Sequence, residues 1–219
     1  MHPVLYLDAA SPTVHVGLQV SDRVAPEWRQ STQEAGVGLF REVETLTRAQ
    51  GVSVSDLRSV AFCEGPGSLL GVRLVAMALR TWHALPRAIP LEVSGYLSLE
   101  LVAAGLLAEG TPGPFHILVD GRRATWNVLS VGADGRWGAI RRRPAAEAFP
   151  EGERVFHPRG FPLWQSLPAE VETITYEPAA LPALAAGFPL LHPVALPDAF
   201  MTEVPTYREW TPEHPVRPS

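Results

Sequence analysis

A short apolar run that ends in an aspartate and then turns into an alternating run occurs twice in this sequence. Near the start, residues 4–7 lead to Asp8 and then to the alternating residues 13–20. Residues 115–131 repeat this pattern around Asp120. Each pattern predicts a β-hairpin, and the repetition predicts two domains built on one plan.

The remainder of the first half predicts a third strand at 24–28 and then alternating helices and strands. A first helix is expected at 31–51, where apolar residues recur every three positions. The apolar strand 60–63 leads through a glycine-rich turn into a second helix, and a short strand at 91–93 precedes a third, with Ser94 as its N-cap. The predicted order is βββαβαβα.

Glycine and proline crowd together after residue 109, which indicates a linker. We therefore place one domain at 1–109 and a second at 110–219. The second domain carries a third strand at 137–142, but proline is frequent beyond it and only short helices are expected, at 162–167 and 179–186. The sequence predicts an α/β protein whose second domain is a shortened copy of the first.

Composition excludes several kinds of chemistry. All 18 basic residues are arginines, so there is no lysine for a Walker-type phosphate loop or a Schiff base. The net charge of −5 does not favour an autonomous nucleic-acid binder. Cys63 is the only cysteine, and no apolar run reaches the length of about 20 residues that a membrane span needs. We expect a cytoplasmic protein.

The two aspartates suit either of two roles. An acid at the end of a strand, beside a tight turn, can hold a metal or a phosphate-bound cation. Aspartate also commonly caps such a turn. Asp8 and Asp120 are therefore candidates for a vestigial phosphate or metal site, with turn capping as the alternative. The 7 histidines never lie within four residues of one another, so no helical metal pair is expected.

A glycine-rich segment joins the strand at 60–63 to the second helix. Glycines in such a turn leave backbone amides that can bind an anion. A tight connection with a serine N-cap has the same spacing, so both interpretations stay open. The residues of this glycine loop are Gly65, Pro66, Gly67, Ser68, Gly71 and Arg73.

A basic spot lies in the second domain. It consists of Arg141, Arg142 and Arg143, with Arg122 and Arg123 as further candidates. Such a spot can meet tRNA phosphates or an acidic partner. A solvated strand edge is the alternative, because charged edges also prevent strand addition.

The glycine loop and its surroundings resemble the TsaB (YeaZ) family. In that family the loop has the sequence pattern G-P-G-S-F-T-G-[VL]-R. Residues 64–73 of this chain are Glu-Gly-Pro-Gly-Ser-Leu-Leu-Gly-Val-Arg. Further similar segments occur in the same order, most closely between residues 60 and 100. They are Tyr6-Leu7-Asp8, Ile89-Pro90-Leu91-Glu92-Val93-Ser94, Leu118-Val119-Asp120-Gly121-Arg122-Arg123 with Trp126, and Pro205-Thr206-Tyr207-Arg208.

The resemblance implies two ribonuclease H-like domains of the actin/Hsp70/sugar-kinase class, each with a mixed five-stranded sheet. It also implies a protein that does no chemistry itself. Such a protein binds the paralogue TsaD, which transfers a threonylcarbamoyl group to an adenosine beside the tRNA anticodon, with TsaE as an ATPase. Such a protein contacts tRNA only as part of that complex. No cofactor is expected beyond weak or shared nucleotide binding.

The family contact is a helical face, here on the first and second helices, which is also expected to form a homodimer when the chain is alone. The predicted contact residues are Val37, Phe40, Val43, Val72, Ala76 and Leu79.

Departures from the family pattern fall on side chains that touch phosphate. The usual Asp-Thr-Ser start is Asp8-Ala9-Ala10-Ser11, and the Phe-Thr pair of the loop is Leu69-Leu70. The tail lacks the leucine between Tyr207 and Arg208. These changes disfavour nucleotide hydrolysis and leave a scaffold role intact. The alternatives are a nucleotide-binding or glycoprotease-like enzyme of the same fold, or a divergent paralogue with another partner.

Overall fold

Each acid-ended hairpin forms the centre of its own β-sheet. The computed structural model describes residues 2–202, and its first sheet opens with an antiparallel meander whose first strand also pairs in parallel with the strand that enters the glycine loop. A further parallel strand lies beside that one. The five strands are β1 (Val4–Asp8), β2 (Val14–Gln19), β3 (Glu27–Ser31), β4 (Ser59–Gly65) and β5 (Glu92–Leu97).

The second sheet repeats this arrangement. Its first three strands form an antiparallel meander, and two parallel strands follow on the other side of the first strand. The strands are β6 (Phe115–Asp120), β7 (Thr125–Val131), β8 (Arg141–Pro144), β9 (Arg154–Pro158) and β10 (Val171–Ile174). The orders β3-β2-β1-β4-β5 and β8-β7-β6-β9-β10 correspond strand for strand, which confirms that the chain is built twice on one plan.

One strand crosses between the two halves. β11 (His192–Pro193) pairs antiparallel with β5, so the first sheet has 6 strands and the second has 5. The prediction of five strands in the first sheet was therefore short by one. The prediction missed β11 because this strand pairs with a part of the chain that is distant in sequence. As a result, the first sheet contains residues that lie beyond the predicted domain boundary at residue 109.

The helices distinguish the two copies. α1 (Ala35–Ala49) joins β3 to β4, and α2 (Leu69–His83) joins β4 to β5. Within residues 2–202, the matching connections of the second copy contain no helix. α3 (Ser98–Ala108) follows β5, whereas only a 3₁₀ turn (Pro178–Ala180) and the single-turn α4 (Leu181–Leu184) follow β10. The second copy is thus degenerate, as predicted.

Several predicted boundaries were wrong. The helix expected at 162–167 does not form, and this segment is irregular. Ser94 lies inside β5, because pairing with β4 continues to Leu97, and α3 begins only at Ser98. The third strands of the two meanders lie two to four residues later than predicted, and β9 and β10 were missed.

A helix that is apolar on nearly all sides sits between the sheets. α3 contacts β4 and β5 of the first sheet and β6 and β7 of the second. Its buried residues belong to one apolar cluster that also contains Phe115, Phe156 and Leu181. α1 and α2 pack on the opposite face of the first sheet over a separate cluster around Leu5 and Leu39. The two domains therefore share one core along α3.

No helix in the part of the chain that the structure describes combines the length and the apolar character needed to cross a bilayer.

Candidate functional site

Asp8 ends β1 at the junction between the two domains. Its side chain is fully buried. Oδ2 accepts hydrogen bonds from the hydroxyls of Tyr96 (2.6 Å) and Tyr176 (2.5 Å), and Oδ1 accepts one from the Ala10 amide (2.9 Å). Tyr176 belongs to the second copy, so this carboxylate joins the two domains directly.

Burial sets the protonation of the groups around Asp8. It raises the pKa of the Tyr96 and Tyr176 hydroxyls well above the ordinary value, and the negative charge of Asp8 raises both further. The Cys63 thiol lies 3.7 Å from the Tyr176 hydroxyl, and its pKa is raised by the same two causes. Both tyrosines therefore stay protonated at neutral pH and remain donors to the carboxylate.

The prediction that Asp8 belongs to a phosphate or metal site needs correction. Its carboxylate has three protein donors and no exposed surface. The Ala10 contact is the turn cap that stood as the alternative. Within residues 2–202, no group of three or more histidine, cysteine, aspartate or glutamate residues could hold a metal ion.

The glycine loop packs on the backbone of the first hairpin. A Cβ on Gly67 would lie 2.2 Å from the Ala10 carbonyl oxygen, and one on Gly71 would lie 2.3 Å from that of Ala9. The Ser68 amide donates to the same Ala10 oxygen at 2.7 Å. The glycines are required because two backbones approach closely.

The N-cap interpretation of this loop is confirmed. The Ser68 hydroxyl accepts a hydrogen bond from the Gly71 amide (3.4 Å) at the start of α2. Because the Ser68 amide is already bonded to Ala10, it is not free for an anion. Pro66 accepts a hydrogen bond from Ser98 of α3, and Arg73 is exposed on α2.

Asp120 plays the matching role in the second hairpin. Its Oδ1 accepts from the Arg122 amide (2.6 Å) and its Oδ2 from the Trp164 amide (2.9 Å). Arg142 spans the turn and donates to the Thr125 hydroxyl and the Gly121 carbonyl, both at 2.8 Å. The carboxylate therefore caps its turn as well.

The turn itself has an unusual backbone. Arg122, Arg123 and Ala124 have φ angles of 61°, 51° and 55°. Consecutive left-handed conformations are unfavourable for residues that carry a Cβ. The contacts of Asp120 and Arg142 are what hold the turn in this shape.

A cleft of about 410 Å³ lies between the glycine loop and this turn. Residues 65–67, Leu69 and Val72 line its first-domain side, and residues 120–123 with Trp164 line its second-domain side. The chain segment 199–202 completes the wall. This is where the predicted glycine loop and Asp120 come together, while Asp8 is enclosed deeper in the molecule.

Only two of the six predicted contact residues are exposed. Val37 and Phe40 are about half exposed. Four of the predicted contacts lie in the core of the chain and cannot reach a partner in this conformation. They are Val43, Val72, Ala76 and Leu79, with exposed fractions of 3%, 1%, 2% and 0%.

On α1 the error comes from helical geometry, because a spacing of three residues drifts around a helix of 3.6 residues per turn. Val37 and Phe40 therefore turn away from the sheet while Val43 faces it. On α2 the predicted contacts do share one face, but that face packs into the core. The exposed apolar residues of α2 are Leu70 and Met77. We call Val37, Phe40, Leu70 and Met77 the apolar strip.

Three residues of the junction and cleft carried no pattern in the sequence. Tyr96 fell in a segment taken for a helix, and Tyr176 and Trp164 lie in irregular parts of the second copy. Asp8 itself could have indicated such residues, because a carboxylate at the end of a buried strand needs hydrogen-bond donors from other parts of the chain. The similar tail at 205–208 lies outside the described residues.

No protein-family model and no curated protein matches this sequence. Solved structures do match. YeaZ from Pseudomonas aeruginosa superposes with a TM-score of 0.59 at 21% identity, over 85% of this chain and 92% of that protein. The chain has a YeaZ-like fold. An uncharacterized protein with similarity to peptidase YEAZ, from the same organism, gives a TM-score of 0.59 at 20% identity over 85% and 91% of the two chains.

This likeness agrees with the two mixed sheets of 6 and 5 strands. It confirms the predicted α/β class with two mixed sheets.

Tyr176→Phe should lower the free energy of unfolding by about 2 kcal/mol, because a buried carboxylate loses a donor while the ring is kept. Tyr6→Phe is the matched control. Its hydroxyl donates to the neutral Gln19 side chain at 3.0 Å, so we expect a loss of about 1 kcal/mol or less. Chemical denaturation at pH 7 measures both, and equal losses would contradict the role given to Asp8.

Tyr176→Phe should also change the response of the protein to alkaline solution. The tyrosine pKa is raised in the folded state, so the unfolded chain loses its proton first, near pH 10, and stability falls as pH rises beyond that value. One tyrosine contributes a slope of about 1.4 kcal/mol per pH unit. Denaturation between pH 9 and 11 should show a shallower decline for Tyr176→Phe than for the unchanged protein.

Gly71→Ala should lower the free energy of unfolding by about 2 kcal/mol or more, because the new Cβ meets the Ala9 carbonyl. Gly105→Ala, also in a helix, has no atom within 4 Å of the new Cβ and should raise stability by about 0.5–1 kcal/mol. Urea titrations compare the two. Similar effects of both changes would show that the loop does not depend on its contact with the hairpin.

Proposed function

We propose that this protein is a non-catalytic partner in threonylcarbamoylation of the adenosine next to the tRNA anticodon, where it binds and supports a TsaD-like transferase. A YeaZ-like fold and a glycine loop that resembles the TsaB signature support this assignment. The observation that carries it is the enclosure of Asp8 by Tyr96 and Tyr176.

Enclosure of this acid argues for binding rather than chemistry. Phosphoryl transfer needs carboxylates that reach a magnesium ion and donors that reach the phosphates. Asp8 has no exposed surface, and its neighbours Ala9 and Ala10 are buried and have no hydroxyl. Asp120 is occupied by two backbone amides. A protein with such hairpins is suited to act through its surface.

We assign the contact with the transferase to the apolar strip. Its side chains are 50–73% exposed, although each is large and apolar. The Phe40 ring meets the ring of buried Trp82 edge-on, with centroids 6.3 Å apart. An aromatic side chain held in this way is a typical anchor of a protein interface. A TsaE-like ATPase would join the same assembly, and the transferase would bind the tRNA.

A pair of valines provides a matched test of this interface. Val37 in the strip and Val24 in the β2–β3 turn are 53% and 54% exposed. We expect Val37→Glu to weaken binding to the transferase of the same organism at least tenfold, because a carboxylate would be buried against apolar surface. Val24→Glu should bind as the unchanged protein does. Calorimetry of the purified pair measures both, and equal affinities would rule out the strip.

The isolated chain should use the same strip to form a homodimer, since an exposed apolar patch favours association. Sedimentation equilibrium is expected to give a dimer for the unchanged protein and for Val24→Glu, and a monomer for Val37→Glu. A dimer that survives Val37→Glu would place the contact on another surface.

The pathway is tested in cells. Depletion of the protein should remove threonylcarbamoyl-adenosine from tRNA, as measured by mass spectrometry of tRNA nucleosides. Val24→Glu should restore the modified nucleoside and Val37→Glu should not. Full modification in the depleted cells would contradict the proposed function.

A further inference from the structure

A serine, a histidine and a glutamate form a hydrogen-bonded chain on the second sheet. His116 of β6 lies opposite Ser130 of β7 in the strand register. The Nδ1 atom of His116 is 2.8 Å from the Ser130 hydroxyl, and its Nε2 atom is 2.6 Å from the carboxylate of Glu153, the residue before β9. One imidazole therefore connects a hydroxyl to a carboxylate.

These side chains lie on the outer face of the second sheet, away from α3. Side chains alternate along a strand, and Ile117 and Leu129 belong to the core shared with α3, so His116 and Ser130 point to the other side. In the first copy the corresponding face is covered by α1 and α2, whereas the matching connections of the second copy contain no helix within residues 2–202. Ser130 is exposed on this face.

The fold itself does not require these residues. Counted back from the acid that ends the first strand of each copy, His116 corresponds to Val4, and its cross-strand partner Ser130 corresponds to Gln19. An apolar side chain and an amide cannot form the same hydrogen-bonded chain. The arrangement is thus a property of the second copy and not of the duplicated plan.

The two partners of the imidazole determine where its hydrogen lies. An ionised carboxylate can only accept, so the Nε2–H of the neutral ring donates to Glu153. Nδ1 then has a lone pair, which accepts the hydrogen of the Ser130 hydroxyl. A serine hydroxyl beside a base that a carboxylate orients is the arrangement that activates a nucleophile.

Packing fixes the imidazole in this orientation. The Phe149 ring lies against His116, with centroids 5.0 Å apart, and the Arg143 guanidinium lies 4.6 Å from the centroid of Phe149. His116 is buried, while Ser130 is exposed. The base is therefore shielded from solvent, and the nucleophile can be reached by a substrate.

An arginine shares the outer face with the serine. Arg141 of β8 is opposite Val128 in the register, which makes it the diagonal neighbour of Ser130 across the two strands. Long side chains reach such neighbours, and Arg141 is exposed. Its guanidinium can stabilise the oxyanion that forms when a hydroxyl attacks a carbonyl carbon.

We propose that Ser130 is a catalytic nucleophile for the hydrolysis of small carboxylic esters, with His116 as the general base and Glu153 as a positioning residue. Ser130 Oγ forms a bond to the carbonyl carbon while its proton passes to His116 Nδ1. The ester C–O bond then breaks, and the leaving alcohol takes the electron pair and that proton. Water, activated by the same imidazole, hydrolyses the acyl-serine and restores the hydroxyl. This activity is separate from support of the transferase and does not depend on the proposed function.

A fluorophosphonate probe tests the nucleophile on the full chain, because an activated serine attacks its phosphorus and expels fluoride. We expect mass spectrometry of peptides to locate the label at Ser130. The labelling rate should rise with pH to a plateau, because only the neutral imidazole can accept the proton. Ser55 is the internal control, since its exposed hydroxyl is bonded to that of Ser53 and not to an imidazole, and it should stay unlabelled.

Variants connect the label to hydrolysis of 4-nitrophenyl acetate. Ser130→Ala should abolish the label and slow hydrolysis at least about tenfold, whereas Ser55→Ala should retain both. Glu153→Gln should slow labelling at least about tenfold, and Glu153→Asp should restore part of the rate, because a carboxylate again accepts from Nε2–H. Thermal melting checks that each variant is folded.

The proposed function is tested separately, since Val37→Glu should react with the probe as the unchanged protein does. No label at Ser130, equal labelling of Ser55, unchanged labelling of Glu153→Gln, or hydrolysis that Ser130→Ala does not slow would overturn the proposal.

Discussion

A buried carboxylate that receives hydrogen bonds from both domains organises this molecule. Removing a charge from water is costly unless donors replace the solvent, and Asp8 obtains them from its own turn, from β5 and from Tyr176 of the second copy. The donors are effective only while the two sheets keep their present distance. Together with α3, which packs between the sheets, these hydrogen bonds fix the relative position of the two domains. The shape of the cleft between the domains depends on that position.

Local patterns in the sequence were sufficient for the duplicated plan. The acid-ended hairpins are features of a few neighbouring residues, and both formed as predicted. The spacing around Ser68 left an anion site and an N-cap open, and the structure shows the N-cap. Features that depend on distant contacts were not accessible in this way. β11 pairs with a strand far from it in sequence, and Tyr176 reaches Asp8 across the junction. Four of the six predicted contact residues proved to be buried, because the three-residue spacing on α1 does not follow one side of a helix and the face chosen on α2 packs into the core.

The departures from the TsaB pattern also acquire a physical meaning. Ala9 and Ala10 are buried beneath the glycine loop, where Gly67 and Gly71 leave no room for larger atoms. Alanine at these positions permits close packing of loop and hairpin. Asp8 is likewise committed to contacts within the protein. The exposed apolar side chains on α1 and α2 are then a surface left for recognition.

The strand β11 makes the two copies inseparable. By sequence it belongs to the second half, but its hydrogen bonds are to β5 of the first sheet, and the chain beyond it follows α2, with the Arg80 side chain bonded to the Pro197 carbonyl. Cutting the polypeptide at the linker would leave the first half with a bare sheet edge and the second with an unanchored tail. The edge of the first sheet is thus completed by the second half of the chain.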